Sequence, residues 1–167
     1  MLPFPCKSES SMGKPHSHFL LPGEIFASRE GCMVKTVLGS CVALCLWDRS
    51  EKIGGINHYM LPLWGSEGRP TSRYGDVAID ELLHEMAGLG CRRQNLVAKI
   101  FGGASMIAER NITFNIGERN MQIAEQMMTE YGIPIVASDT GGTKGRRLIF
   151  NTATGVVSLR KTTDNGR

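Results

Sequence analysis

Gly39-Ser40-Cys41 is a small-residue turn that ends one apolar stretch and delivers a cysteine at the edge of the next. Such a turn can hold a side chain rigidly and leave backbone N–H groups facing a ligand. A thiol used as a nucleophile needs that placement, because the oxyanion that forms needs donors close to the sulfur. His58 lies 17 residues downstream, in Ile53-Gly-Gly-Ile-Asn-His-Tyr-Met-Leu61, inside an otherwise apolar run. A cysteine and a histidine on neighbouring strands can come within hydrogen-bond reach, which raises the thiolate fraction. Each residue also has an ordinary reading. Cys41 can be a small buried hydrophobe, and His58 a core histidine with its hydrogen bonds satisfied.

The rival sites are weaker. His16 and His18 fall in a loose N-terminal stretch, and His84 on the polar side of a helix. Cys41 and Cys45, on one strand, share a face at a separation too great for a single ion, and the chain has no Cys-x-x-Cys pair, so no metal site is expected. Cys6, Cys32, Cys45 and Cys91 read as incidental thiols. The glycine stretches Phe101-Gly-Gly-Ala-Ser105 and Gly141-Gly-Thr-Lys-Gly-Arg146 do not match a phosphate loop and read as tight turns, with Lys144, Arg146 and Arg147 on a solvated one.

Apolar patterning gives the elements that must position these residues. Strands are expected over 24–27, 33–38, 42–47, 53–61, 96–101, 133–137, 147–151 and 156–159. The run 42–47 is almost wholly apolar, which suits a strand buried on both faces, and the polar loop 48–52 joins it to the next strand as a hairpin. Helices are expected over 76–89, with Asp76 as N-cap, and over 117–131, with Met121, Ala124, Met127, Met128 and Tyr131 on the buried stripe and Gly132 as the stop. The fold class is α/β of the α+β type: a layered sandwich around a mixed, largely antiparallel sheet with two main helices. Residues 1–18, with three prolines and no hydrophobic period, form a flexible extension, and 19–163 form one domain.

The 167 residues suit a single core, and 41% hydrophobic with 21% charged is ordinary globular usage. Twenty glycines against six Phe, three Tyr and two Trp point away from a helical bundle. A net charge of +3 is too small for a nucleic-acid footprint. No run reaches the length of a membrane span, and the first residues lack the apolar core of a signal peptide. An odd number of cysteines, five, then makes a disulfide scaffold improbable and a reducing cytoplasm the default.

Taken together, Lys35-Thr-Val-Leu-Gly-Ser-Cys-Val-Ala-Leu-Cys-Leu-Trp-Asp48 and Ile53-Gly-Gly-Ile-Asn-His-Tyr-Met-Leu-Pro62 resemble the CheD family of chemoreceptor glutamine deamidases. The likeness continues through Arg73-Tyr-Gly-Asp-Val-Ala-Ile-Asp80, Ala98-Lys-Ile-Phe-Gly-Gly-Ala-Ser-Met106, Asn115-Ile-Gly-Glu-Arg-Asn120 and Asp139-Thr-Gly-Gly-Thr-Lys-Gly-Arg146, over roughly residues 19–160. The resemblance implies a cytoplasmic enzyme of chemotaxis that hydrolyses selected glutamines of methyl-accepting chemoreceptors to glutamate and ammonia. It also implies binding to the CheC phosphatase where one exists, and a fold like the catalytic domain of deamidating toxins. The family's catalytic set is Cys, His and Thr. By motif these are Cys41, His58 and Thr36, with Lys35 the alternative to Thr36 where the spacing differs by one residue.

The chemistry needs no cofactor and no metal. Cys41 attacks the carboxamide carbon, donors around Gly39, Ser40 and Val42 stabilise the oxyanion, and His58 moves the proton to the leaving nitrogen and then activates water, with Thr36 orienting the imidazole. The alternatives are a thiol amidase for small amides, and a catalytically weak adaptor that binds receptors or the phosphatase. An intact Cys41 and His58 argue against the adaptor.

Overall fold

The computed structural model describes residues 16–105 and 115–163. Nine strands and two helices among these residues run in the order β1 (Ser17–Phe19), β2 (Ile25–Ser28), β3 (Met33–Leu38), β4 (Val42–Asp48), β5 (Ile53–Asn57), α1 (Gly75–Gly88), β6 (Leu96–Gly102), α2 (Ile116–Tyr131), β7 (Ile135–Thr140), β8 (Arg146–Asn151) and β9 (Val157–Lys161). They build two sheets rather than the single one expected: a five-stranded sheet ordered β2-β5-β4-β6-β7 and a four-stranded sheet ordered β1-β3-β8-β9. Only β1 with β3 and β6 with β7 pair in parallel; the remaining pairs are antiparallel.

The apolar run in β4 explains the layering. Its side chains alternate, and both faces are covered. Val42, Leu44 and Leu46 pack with Ile79, Leu82 and Met86 of α1 and with Ala124, Met127 and Met128 of α2. Ala43 and Cys45 pack the other way, against Val34 and Leu38 of β3 and Leu148 and Phe150 of β8. The five-stranded sheet is therefore the middle layer, with both helices on one side and the second sheet on the other. Leu44 is fully buried, and truncating it to alanine costs about 3 kcal/mol.

Several expected boundaries move. β5 stops at Asn57 instead of running to residue 61, because the Asn57 side chain takes over a ladder position: its Oδ1 accepts from the Leu44 amide at 2.9 Å. Helix α1 is capped by Tyr74, and Asp76 sits in the first turn, where its Oδ1 accepts from the Trp64 and Val77 amides. In α2 the αL residue Gly132 stops the helix as expected, while Met121 and Tyr131 of the expected stripe are only partly buried. Residues 17 and 18, read as part of a loose extension, belong to β1, which pairs with Met33, Val34 and Lys35 of β3. A three-residue strand is too short to show a hydrophobic period. Residues 1–15 of that extension, with Cys6, lie outside the described residues, as does Met106 of the 98–106 motif.

Candidate active site

Residues 39–41 carry the chain from the end of β3, in one sheet, to the start of β4, in the other. Three consecutive carbonyls of this crossing are tied down. Gly39 O accepts from the Ala104 amide at 3.0 Å and Cys41 O from the Gly103 amide at 2.9 Å. Ser40 O accepts from Asn120 Nδ2 at 3.0 Å. Position 102 has to be glycine: its φ is +107°, and a Cβ there would collide with the Cys41 carbonyl. With the carbonyls held, the peptide units have a fixed orientation. The Val42 amide, expected among the oxyanion donors, is unavailable, because it donates to Tyr59 O at 3.1 Å. The Ser40 and Cys41 amides carry no backbone hydrogen bond among the described residues, and the Cys41 amide acts on its own sulfur.

His58 lies just past β5. Its amide donates to Glu24 O at 3.2 Å and its carbonyl accepts from the Gly23 amide at 2.7 Å, so its backbone continues the β2–β5 register. Val42 and Tyr59 form a bridge in the same register as Cys45 and Ile56, which sets His58 opposite Ala43. Opposed residues share a face. His58 therefore lies on the side of the middle sheet that meets β3, one diagonal step from Cys41, whose side chain packs on that same inter-sheet core.

From the facing sheet Thr36 completes the arrangement. The β3 side chains alternate, with Val34, Thr36 and Leu38 buried and Lys35 and Val37 exposed. Lys35 points to solvent on the outer face, and Thr36 points at the histidine. Thr36 Oγ1 lies 2.8 Å from His58 Nδ1 and donates to the Leu20 carbonyl at 2.8 Å. The hydroxyl proton is spent on Leu20, so the hydroxyl oxygen accepts from Nδ1–H, and the lone pair of the neutral ring is on Nε2. His58 Nε2 is buried and without a hydrogen-bond partner among the described residues. It faces away from Thr36 as an unused acceptor, and Cys41 Sγ is not bonded to it in this state.

Burial sets the charge states. It lowers the His58 imidazole to about 4, well under the ordinary 6.5. Burial also pushes the Cys41 thiol above its ordinary value, with its own amide pulling weakly the other way. The resting pair is a neutral thiol and a neutral imidazole. Cys41 is half-buried, whereas Cys32, Cys45 and Cys91 are buried.

Two further pieces of the site went unread in the sequence. Asn120, fully buried in α2, bonds Met60 O as well as Ser40 O, each at 3.0 Å. Arg146, read as part of a solvated turn, is 2% exposed and spends its donors on Asp139 and on the Gly102, Gly141 and Lys144 carbonyls. Lys144 and Arg147 are exposed, as expected. Both buried residues stand at the C-terminal ends of motifs, Asn115-Ile-Gly-Glu-Arg-Asn120 and Asp139-Thr-Gly-Gly-Thr-Lys-Gly-Arg146, and that position was the available signal.

The family model described as CheD chemotactic sensory transduction matches residues 60–161. The chain belongs to the CheD family. Among similar proteins is the probable chemoreceptor glutamine deamidase CheD of Trichlorobacter lovleyi, 46% identical over 91% of this chain and 94% of that protein. The protein of the same name from Sulfurimonas denitrificans is 42% identical over 85% and 92%. The one from Methanococcus vannielii is 38% identical over 83% and 91%. An alignment of 152 residues within 167 necessarily spans Thr36, Cys41 and His58, so the whole CheD-like site falls inside the likeness. The crystal structure of Bacillus licheniformis hypothetical protein YfiH matches with a TM-score of 0.41 at 12% identity, over 68% of this chain and 49% of that one, too loosely to carry an argument.

Proposed function

We propose that this CheD-family chain is a protein-glutamine glutaminase that deamidates methyl-accepting chemoreceptors, with Cys41 as nucleophile, His58 as general acid and base, and Thr36 as the residue that orients it. The observation that carries this reading is the Leu20–Thr36–His58 relay. It leaves a basic imidazole nitrogen unused, on the face that holds a half-buried thiol at a turn with pinned carbonyls.

Nε2 takes the thiol proton as sulfur attacks the carboxamide carbon, and the carbonyl electrons move to oxygen, which faces the Ser40 and Cys41 amides. The imidazolium returns that proton to nitrogen, the C–N bond breaks, ammonia leaves and a thioester remains. His58 then takes a proton from water, whose oxygen attacks the thioester; the C–S bond breaks, the imidazolium returns that proton to sulfur, and the new carboxyl group ionises to glutamate. Transient charge on the imidazole arises only while negative charge builds on sulfur and oxygen, which suits a ring that is neutral at rest.

The reading sets the enzyme in the cytoplasm beside the receptors' cytoplasmic regions. Cys41, Cys45 and Cys91 are free thiols, which suits a reducing compartment, and no described helix is long and apolar enough to cross a membrane. A CheC-type phosphatase partner belongs to the same reading. The test is incubation with receptor cytoplasmic fragments and mass spectrometry of the products. Specific glutamines gain about one dalton with the wild type and none with Cys41→Ala. Conversion that survives in Cys41→Ala ends the thiol mechanism.

A further inference from the structure

Asn120 sits one turn into α2, inside the helix, where asparagine is a poor choice for the helix itself. It has no solvent exposure. Its side-chain amide spans two segments far apart in sequence: Nδ2 donates to Ser40 O in the nucleophile turn and to Met60 O just beyond His58, each at 3.0 Å. Two carbonyl acceptors on one atom fix that atom as nitrogen, since the reversed amide would set oxygen against oxygen. The Tyr59 hydroxyl, in turn, donates to the Asn120 main-chain carbonyl. The start of the helix is pressed against the same region: a Cβ on Gly117 would come within 2.5 Å of Gly103 O, and Gly103 is the residue whose amide holds the Cys41 carbonyl.

Both Nδ2 protons are therefore spent on joining residue 40 to residue 60. Cys41 directly follows one anchor and His58 lies two residues before the other, so the clamp ties the turn itself to the His58 segment, beside the Val42–Tyr59 backbone bridge. An aliphatic side chain of the same size would fill the volume and leave two partly buried carbonyls without this donor. We propose that Asn120 is a positioning residue for the reaction: it holds the Cys41 turn and the His58 segment at the separation at which Nε2 can take the thiol proton. The proposal rests on the thiol–imidazole reading above.

Its test is a double-mutant cycle on Cys41 alkylation by iodoacetamide near pH 8, followed by peptide mass spectrometry in the wild type, Asn120→Ala, His58→Ala and the double variant. Asn120→Ala is expected to slow Cys41 labelling at least about fivefold, and the double variant to label within about twofold of His58→Ala, because both changes remove one coupled pair. Wild-type labelling in Asn120→Ala overturns the proposal. So does a double variant whose losses multiply, which means a structural effect independent of His58. If circular dichroism shows Asn120→Ala unfolded, the cycle is run with Asn120→Ser, which also removes the amide but leaves a smaller polar group. Wild-type deamidation of receptor fragments is measured alongside. A coupled cycle without deamidation sinks the assigned function and leaves the clamp, whereas deamidation with an uncoupled cycle sinks the clamp alone.

Discussion

The Thr36 hydroxyl donates to Leu20 O and accepts from His58 Nδ1, both at 2.8 Å, and this one oxygen fixes the tautomer of the histidine. Rotating the hydroxyl to donate to Nδ1 would leave the Leu20 carbonyl without this donor and move the ring proton to Nε2, where it blocks proton acceptance. β1 therefore takes part in the chemistry at a distance, because it continues directly into Leu20, whose amide is held by Lys35 O at 2.8 Å.

Thr36→Val keeps the shape of the side chain and removes the acceptor. The Nδ1 proton then has no partner and the imidazole samples the wrong tautomer. Loss of such an orienting group lowers turnover by about 10- to 100-fold. Thr36→Ser, which keeps the oxygen, should recover most of it. Steady-state kcat on receptor fragments checks both, and a Thr36→Val enzyme within twofold of wild type would remove Thr36 from the mechanism.

The depressed imidazole predicts two pH effects. His58 has to be neutral to accept a proton, so the acid limb of kcat/KM should lie near pH 4 rather than at the 6.5 of a free histidine. Stability follows the same group. The folded state binds fewer protons than the unfolded state between 6.5 and about 4, so this contribution is complete above 6.5 and is lost as pH falls through the folded value. The loss is about 3 kcal/mol. Urea unfolding of wild type at pH 7.5 and 4.5 should show it, and His58→Gln should show a smaller fall over the same interval.

Cysteine reactivity should divide the described thiols. Cys41 is half-buried and shares a sheet face with His58, while Cys45 is buried and driven upward by desolvation with only Lys99 opposing. Labelling with a small alkylating reagent should modify Cys41 first, faster as pH rises, and Cys45 only on unfolding. Peptide mapping after limited labelling checks the order. Cys45 reacting at the rate of Cys41 in the folded protein would contradict the environment assigned to both.

The strands and helices were readable where the local pattern is strong. The continuous apolar run of β4 announced a strand covered on both faces, and the spacing in α1 and α2 announced their buried stripes. Cys41 and His58 stand out for a different reason: a cysteine after Gly-Ser and a histidine in an apolar run each break the local pattern, and the resemblance to the CheD family is what gives them their proposed roles. What the sequence hid is relational. That β3 and β4 belong to different sheets depends on a turn at residue 39 whose direction no local propensity encodes. Asn120 and Arg146 give little local signal because most of their acceptors are backbone carbonyls, and carbonyls have no residue type to notice.

Arg146 supplies the last prediction. Its five N–H donors meet five acceptor contacts: Nε and Nη2 reach Asp139 Oδ1 at 3.1 and 2.8 Å, Nη2 reaches Gly141 O at 2.9 Å, and Nη1 reaches Gly102 O at 3.4 Å and Lys144 O at 3.3 Å. Asp139 is held below the usual carboxylate range: its burial would raise it, and the Arg146 and Lys161 cations outweigh that. The Asp139 side chain is 34% exposed, so the ion pair itself is screened and the carbonyl bonds carry much of the value. Arg146→Lys keeps the charge but presents donors from a single point, which cannot reach this fan of acceptors. It should cost about 3 kcal/mol, near 10 °C in Tm for a chain of this size. The loss should extend to turnover, because Gly102 precedes Gly103, which holds the Cys41 carbonyl, and Gly141 N also bonds Gly102 O at 2.9 Å. Arg147→Lys, on the exposed face of the same strand, should leave both quantities unchanged. Thermal unfolding and kcat of the two variants check this directly, and an Arg146→Lys protein with wild-type Tm would show that the buried guanidinium is not what holds the loop in place.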